Sequence, residues 1–348
     1  MDNENNRSNS FASKAKDYYQ LIKFTLSFTV VFSCVVCYLL APNVKVFDWG
    51  MIAILFLAGM LVTGSANAIN QAVEKDTDAI MKRTGSRPVA AGRMSQQEAY
   101  TFAVIAGLVG VGMMWYFFNL SSALLSAFSL FLYAFIYTPL KKINSIAVLV
   151  GALPGALPCL IGWVAGNDDF SLGGWIYFGI QFLWQFPHFW AIAWVAHEDY
   201  SKAGFKLLPA DKGPTKFTAV QGIMYSVLMI PVGFLPYYFE YTGFVSAIVV
   251  MVCNVFMVVQ SIRLYQQMDV KSARRVMFSS YIYLPIVLLA FLANKNKDKV
   301  ENNELKFIKN VNAYYNRAAK NSSTPFYYVD CYRKHCNDVC RYDQCIHC

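Results

Sequence analysis

Three oxygen-bearing side chains lie four residues apart where an apolar stretch of the chain ends, at Asn70, Glu74 and Asp78. Residues four apart on a helix project from one face, so the trio shares a face, whereas Asp76 points to roughly the opposite side. Polar groups clustered beside lipid are costly, which makes them candidates for function. A divalent cation on a diphosphate needs oxygen ligands. The spacing therefore predicts a site for a metal-bound diphosphate.

Basic side chains follow the trio along the chain. Arg83 and Arg87 lie in the run Arg-Thr-Gly-Ser-Arg-Pro, and guanidinium groups bind phosphate oxygens in pairs. An anionic phosphate cannot sit beside Glu74 and Asp78 without a bridging cation. We therefore predict that the trio holds Mg²⁺, that the Mg²⁺ holds the diphosphate, and that both arginines contact the phosphate oxygens.

A second polar cluster follows the sixth apolar stretch. Glu198 and Asp199 are its acids, with Asp199 the stronger candidate, and Lys202 comes three residues later. We expect this cluster to hold a second cation or the other side of the same diphosphate, so that Asp199 acts in catalysis with the trio. Lys141 and Lys142 are further candidates for diphosphate binding, although lysines in such loops more often set membrane topology.

The composition predicts a membrane protein with many helices. Of the 348 residues, 56% are apolar and only 15% are charged, which is too little charge for an ordinary soluble surface. Irregular backbone is not tolerated against lipid, so long apolar runs are expected to be helices. We predict an all-α, polytopic protein whose nine transmembrane helices surround a central cavity that opens to the cytoplasmic side. The predicted spans are 22–41, 48–68, 99–118, 122–138, 146–165, 172–194, 217–238, 243–261 and 275–293.

The basic residues orient this arrangement. If the N-terminus is cytoplasmic, the inner loops are rich in Lys and Arg, while the four outer loops hold Lys45 alone. The net charge of +9 then reflects topology rather than nucleic-acid binding. The first twenty residues lack the pattern of a signal peptide. We expect a multi-pass protein of a bacterial inner membrane, with its C-terminus outside.

Four runs of sequence carry a resemblance to a known family. They are Asn70-x3-Glu74-x3-Asp78-x2-Met81-x-Arg83-Thr84-x2-Arg87-Pro88, Tyr137-Thr138-Pro139-Leu140-Lys141-Lys142, Gly155-Ala156-Leu157-Pro158 with Ile161-Gly162-Trp163, and Pro187-His188-Phe189-Trp190 with Asp199-Tyr200-x2-Ala203-Gly204. With these runs the chain resembles the UbiA-type prenyltransferases, and in particular their haem-farnesylating branch. Lys23-Phe24-Thr25 departs from the Lys-Pro-Arg often seen in this family, which weakens any role for Lys23.

The resemblance implies a reaction and its participants. Farnesyl diphosphate ionises with Mg²⁺, a vinyl group of haem B attacks its C1, and water completes the side chain of haem O. Haem is the substrate, and Mg²⁺ is the cofactor. The expected protein partners are a haem A synthase or an assembling terminal oxidase. The residues expected on the haem side are His188, His197, Tyr137 and Tyr200.

Alternatives remain for the acceptor and for the class of protein. A related prenyltransferase would use an aromatic or quinone-precursor acceptor, and a transporter would also carry intramembrane acids.

We expect residues 1–20 to be a cytoplasmic segment and residues 21–294 to form the prenyltransferase domain. Residues 295–348 form a polar tail with five cysteines. We interpret it as disordered, with metal binding or disulfide bonding as the alternatives.

Overall fold

The structure is a computed structural model that describes residues 2–209 and 213–296. The predicted tail therefore lies almost wholly outside the described residues. Within them the regular structure is helical, and the one isolated bridge pairs Thr242 with Lys295. The all-α prediction is confirmed.

The helices of the first half include one π-helical segment, which continues α6. Their bounds are α1 (Asp2–Leu21), α2 (Phe24–Leu40), α3 (Trp49–Val73), α4 (Lys75–Ile80), α5 (Gln96–Phe117), α6 (Leu120–Phe131), the π-helix (Leu132–Tyr137) and α7 (Thr138–Leu140).

The second half consists of five long helices and one short one. Their bounds are α8 (Ala147–Asn167), α9 (Leu172–Val195), α10 (His197–Lys202), α11 (Lys216–Tyr238), α12 (Phe244–Gln267) and α13 (Val270–Ala293).

Every predicted span coincides with a helix, but not every such helix qualifies as a span by itself. In the part of the chain that the structure describes, seven helices are long and apolar enough to cross a membrane. The number rises to eight if Ala12–Leu21 and Phe24–Leu40, which meet at 53°, form one bent span. The architecture is thus a multi-pass helical membrane protein, and the predicted count of nine spans is not confirmed.

The break between α1 and α2 occurs at Lys23, whose backbone is left-handed (φ 48°, ψ 57°). Two amide side chains of α3 stabilise it. Asn67 donates to the Ile22 carbonyl at 3.2 Å, and Gln71 donates to the Gln20 and Leu21 carbonyls at 2.9 Å. These bonds satisfy carbonyl groups that a helix end leaves unpaired. The break therefore has a defined geometry that directs Lys23 toward α3.

Gly151 and Gly155 of α8 make room for the side chains of neighbouring helices. A Cβ on Gly151 would lie 2.5 Å from Cε2 of Tyr137, and one on Gly155 would lie 2.0 Å from Oε1 of Gln185. The close approach of two backbones occurs instead at Gly162 of α8, where a Cβ would lie 1.9 Å from the Cys34 carbonyl oxygen of α2. The α2–α8 contact therefore depends on the absence of a side chain at Gly162.

We predict that Gly162→Ala destabilises the protein, because the added methyl group forces α2 and α8 apart. Overpacking of this kind costs about 1–3 kcal/mol or more. Gly112→Ala on α5 is the matched control, since a Cβ there meets nothing within 4 Å and alanine favours the helix by about 1 kcal/mol. Thermal unfolding in detergent compares them, and equal melting temperatures would contradict this account of the contact.

Candidate active site

A cavity of about 570 Å³ lies between the helices. Its walls include residues of α2, α3, the π-helix, α8, α9 and α13. Charged and amide groups line one end, where α3 and α4 meet, and apolar groups such as Val31, Met114 and Ile161 line other parts of the wall. Such a cavity can take a molecule with an anionic head and a long apolar body.

The trio lines the charged end of this cavity. Asn70, Glu74 and Asp78 are 1%, 4% and 1% exposed, whereas Asp76 is exposed. Helix α3 ends at Val73, yet the Glu74 and Asp78 amides donate to the carbonyls four residues earlier at 3.0 and 2.7 Å. The four-residue spacing therefore keeps its common face across the junction of α3 and α4.

Each member of the trio contacts a basic side chain from a different part of the chain. Nζ of Lys23 donates to Oδ1 of Asn70 at 2.6 Å. Nζ of Lys141 lies 2.6 Å from Oε1 of Glu74, and Nη1 of Arg87 donates to Oδ2 of Asp78 at 2.7 Å. A buried carboxylate is tolerated only when positive charge compensates it. Lys141 and Arg87 supply that compensation for the two carboxylates.

The carboxylates keep unused acceptor capacity. Oδ1 of Asp78 is buried and has no hydrogen-bond partner among the described residues. Oε1 of Glu74 also lacks a directed hydrogen bond, and its 2.6 Å contact with Lys141 is an ion pair. Burial lowers the pKa of Lys141, and the nearby Glu74 carboxylate opposes that change. The pair is therefore held together by charge in a poorly solvated site.

The donor set fits Mg²⁺ bound together with a diphosphate. Mg²⁺ commonly binds through one or two carboxylates together with substrate phosphates, and it keeps several waters. Glu74, Asp78 and the Asn70 amide supply such a set, and the buried Oδ1 of Asp78 is an acceptor that a cation would satisfy. The fit requires a ligand, since the protein alone offers too few oxygens.

The second acidic cluster does not join the trio in the described structure. Glu198 is exposed, and neither Glu198 nor Asp199 lines the cavity. Among the described residues no group of three or more His, Cys, Asp or Glu side chains could hold a metal ion. The metal role of Glu198 and Asp199 therefore stays a prediction. The orientation of α10 places Tyr200 rather than its acids in the cavity wall.

Segments that are far apart in the sequence still meet near the trio. Nη2 of Arg83 donates to the Tyr200 hydroxyl at 3.1 Å, and its guanidinium lies 5.6 Å from the centre of the Tyr200 ring. The Lys206 amide donates to the Lys141 carbonyl at 2.8 Å. Burial raises the pKa of Tyr200, so its hydroxyl stays protonated.

Lys141 is enclosed by two aromatic rings. Its Nζ lies 4.9 Å from the Tyr137 ring centre and 5.4 Å from that of Phe205. Rings in these positions stabilise an ammonium group electrostatically. By contrast, Lys142 and Lys202 are exposed and do not line the cavity. The structure thus separates two adjacent lysines that the sequence could not distinguish.

The histidines are separated as well. His188 lines the cavity, and its ring stacks on Trp184 at 4.6 Å. His197 does not line the cavity and instead packs against Gly213, where an added Cβ would lie 2.4 Å from Nε2. Of the residues predicted on the haem side, His188, Tyr137 and Tyr200 therefore share the cavity.

Sequence reasoning missed Lys23, Tyr133, Gln181 and Gln185, all of which line the cavity. The neighbours of Lys23 depart from the family pattern, yet a lysine directly before an apolar run is itself a signal. Gln181 and Gln185 donate to the Gly155 and Ala152 carbonyls at 2.8 and 2.9 Å. The four-residue spacing of these two glutamines within an apolar stretch is the feature of the sequence that indicates a shared helix face.

Comparison with known proteins places the chain in a family. Residues 30–283 match the UbiA prenyltransferase family, and the chain belongs to it. The membrane helices and the cavity described above are therefore those of a prenyltransferase.

Two curated relatives carry a more specific name, protoheme IX farnesyltransferase. The relative from Cytophaga hutchinsonii is 43% identical over 284 residues, which cover 82% of this chain and 99% of the relative. The relative from Flavobacterium johnsoniae is 40% identical over 285 residues, which cover 80% and 94%.

Two solved structures share the fold. One, from a study of digeranylgeranylglyceryl phosphate synthase, has a TM-score of 0.68 at 23% identity and covers 81% of this chain and 98% of its own. The other is a UbiA homologue from Archaeoglobus fulgidus bound to GPP and Mg²⁺, with a TM-score of 0.58 at 14% identity and coverage of 79% and 99%. At these identities the likeness concerns the fold alone.

We predict that Lys141→Met weakens the binding of a prenyl diphosphate at least about tenfold. A hydrogen bond to a charged group contributes about 1.5–3 kcal/mol, and methionine keeps the volume while removing the charge. Lys142→Met is the matched control, because it removes the same charge from the exposed neighbour. Calorimetric titration compares the two variants, and an equal loss in both would show that only the general positive potential matters.

Proposed function

We propose that the protein transfers the farnesyl group of farnesyl diphosphate to a vinyl group of haem B and releases diphosphate. The observation that carries the proposal is the cavity end at which Lys23, Lys141 and Arg87 converge on the trio, beside apolar walls and an imidazole. Two curated relatives that match most of this chain are named for this activity. Membership of a prenyltransferase family favours an enzyme over a transporter.

The donor is proposed to place its diphosphate at the trio and its chain along the apolar wall. Lys23 and Cys34 both line the cavity and lie eleven residues apart, which corresponds to about 17 Å along a helix. This depth suits an extended prenyl chain. The basic groups that contact the trio, on Lys23, Lys141 and Arg87, could donate hydrogen bonds to the phosphate oxygens. Arg83 adds a further guanidinium group at the cavity wall.

Ionisation of the donor is proposed to depend on charge at this end of the cavity. Glu74, Asp78 and Asn70 would hold Mg²⁺, which supplies Lewis-acid neutralisation of the leaving diphosphate. Lys23, Lys141 and Arg87 would add charge-assisted hydrogen bonds to the diphosphate oxygens. The Tyr133 and Tyr137 rings also line the cavity, where aromatic faces stabilise a neighbouring cation. The apolar walls exclude water that would consume the allylic cation.

Location and domain limits belong to the same proposal. We assign residues 21–294 to the prenyltransferase domain and place the protein in a bacterial inner membrane with a cytoplasmic N-terminus. The support is the excess of Lys and Arg in alternate loops. Haem O would then pass to a haem A synthase or to an assembling terminal oxidase.

We predict that Asp78→Asn lowers haem O formation at least about 100-fold, which corresponds to about 2.7 kcal/mol. The change keeps the shape of the side chain and removes one of the two carboxylates available to the cation. Asp76→Asn is the control, because Asp76 is exposed and lies on the other side of the helix. The product is measured by mass in membranes supplied with farnesyl diphosphate, Mg²⁺ and haem B.

Two results would contradict the assignment. Full activity of Asp78→Asn would remove the trio from the reaction. Prenylation of an aromatic or quinone precursor without formation of haem O in the unaltered protein would replace the acceptor. Insertion of both variants into the membrane is checked by their yield after detergent extraction.

A further inference from the structure

A cluster of three aromatic rings, one of them an imidazole, forms part of the cavity wall between α9 and α13. His188 is buried within it, stacked on Trp184, and Tyr281 lies edge-on at 5.2 Å between ring centres. Nδ1 of His188 lies 2.8 Å from Oγ of Ser280, and Nε1 of Trp184 donates to the Ser280 carbonyl at 3.0 Å. Ser280 is fully buried. One serine thus hydrogen-bonds two of the three rings, those of His188 and Trp184.

The hydrogen bonds of Ser280 determine which nitrogen of His188 carries the proton. Oγ of Ser280 also lies 2.6 Å from the Met277 carbonyl oxygen, which can only accept. Two oxygens at that distance require a hydrogen between them, so the hydroxyl donates to Met277. A serine has one hydroxyl hydrogen. Oγ must therefore accept from His188, and the neutral imidazole carries its proton on Nδ1.

The opposite nitrogen is then an available ligand. With the proton on Nδ1, Nε2 carries a lone pair, and no hydrogen bond to Nε2 occurs among the described residues. Stacking on Trp184 limits rotation of the ring. Because His188 lines the cavity, an electron pair is presented at the wall of a space lined largely by apolar groups.

We propose that Ser280 is a positioning residue, which holds His188 in the tautomer whose Nε2 binds the iron of the porphyrin acceptor. This inference rests on the proposed function, since it requires haem as the substrate. Neutral imidazole is a common axial ligand of haem iron. A hydrogen bond from the other ring nitrogen of such a ligand fixes its orientation and raises its basicity. The role of Ser280 follows from its hydroxyl and not from its volume.

The test compares iron-containing haem B with metal-free protoporphyrin IX on the full chain in detergent. Fluorescence or absorbance titration gives the affinity for each, and the Soret band reports imidazole ligation. We expect the unaltered protein to prefer haem B and His188→Ala to lose that preference, with added imidazole restoring the ligated spectrum. Ser280→Ala should lower the affinity for haem B about tenfold, at the lower end of the range for such partners, and leave the affinity for protoporphyrin unchanged.

Two control variants separate positioning from packing. Ser280→Thr keeps a hydroxyl and should restore haem affinity, whereas Ser279→Ala removes a neighbouring hydroxyl and should have no effect. Equal weakening of haem B and protoporphyrin by Ser280→Ala would overturn the inference, as would a haem spectrum that His188→Ala leaves unchanged. If either result occurs while the unaltered protein still forms haem O, the iron-ligand role is wrong and the proposed function stands. Absence of haem O would defeat the proposed function itself.

Discussion

Two buried carboxylates at the end of an apolar cavity are the constraint on which this structure depends. Glu74 and Asp78 are almost inaccessible to solvent, and isolated charges in such a place would be strongly unfavourable. Lys141 and Arg87 neutralise them at 2.6 and 2.7 Å. Breaking one such pair leaves a charge unpaired and costs about 3–5 kcal/mol. The carboxylates are therefore stable only where these cations can reach them.

That requirement explains several unusual features of the helices. Lys23 reaches Asn70 because α1 and α2 meet at a left-handed residue that amides of α3 stabilise. Lys141 reaches Glu74 from the turn that follows α7, where it is held between two rings. Arg87 lies in a loop that returns to its own helix end. Each distortion brings a positive group to the same small volume.

The same arrangement suits chemistry that separates charge. In the described site Lys141 and Arg87 already neutralise the two carboxylates, so a diphosphate must bring its own cation to be held by the trio. A leaving diphosphate gains negative charge as it departs, and preorganised donors stabilise that charge without reorganisation. At the other wall, Ser280 orders a neutral imidazole. The two walls therefore present different chemistry to the two substrates that we propose.

The sequence predicted much of this because helical spacing and loop charge are local properties. The face shared by Asn70, Glu74 and Asp78 follows from their spacing, and the long helices follow from apolar runs. The basic partners of the trio could not be predicted in this way, because Lys23 and Lys141 are remote from it in the sequence. Only the packing of the helices brings Lys141 rather than Lys142 to Glu74. Which side chains of the six-residue helix α10 line the cavity depends on its rotation, and no periodicity in so short a segment could define that rotation.

The central claim is that the oxygens of the trio bind a diphosphate only through a divalent cation. Calorimetric titration of an unreactive farnesyl diphosphate analogue, with and without Mg²⁺, tests it most directly. The account predicts that Mg²⁺ raises the affinity at least about tenfold, or about 1.4 kcal/mol, and that the double variant Glu74→Gln, Asp78→Asn loses this gain. Equal affinity with and without Mg²⁺ in the unaltered protein would contradict it.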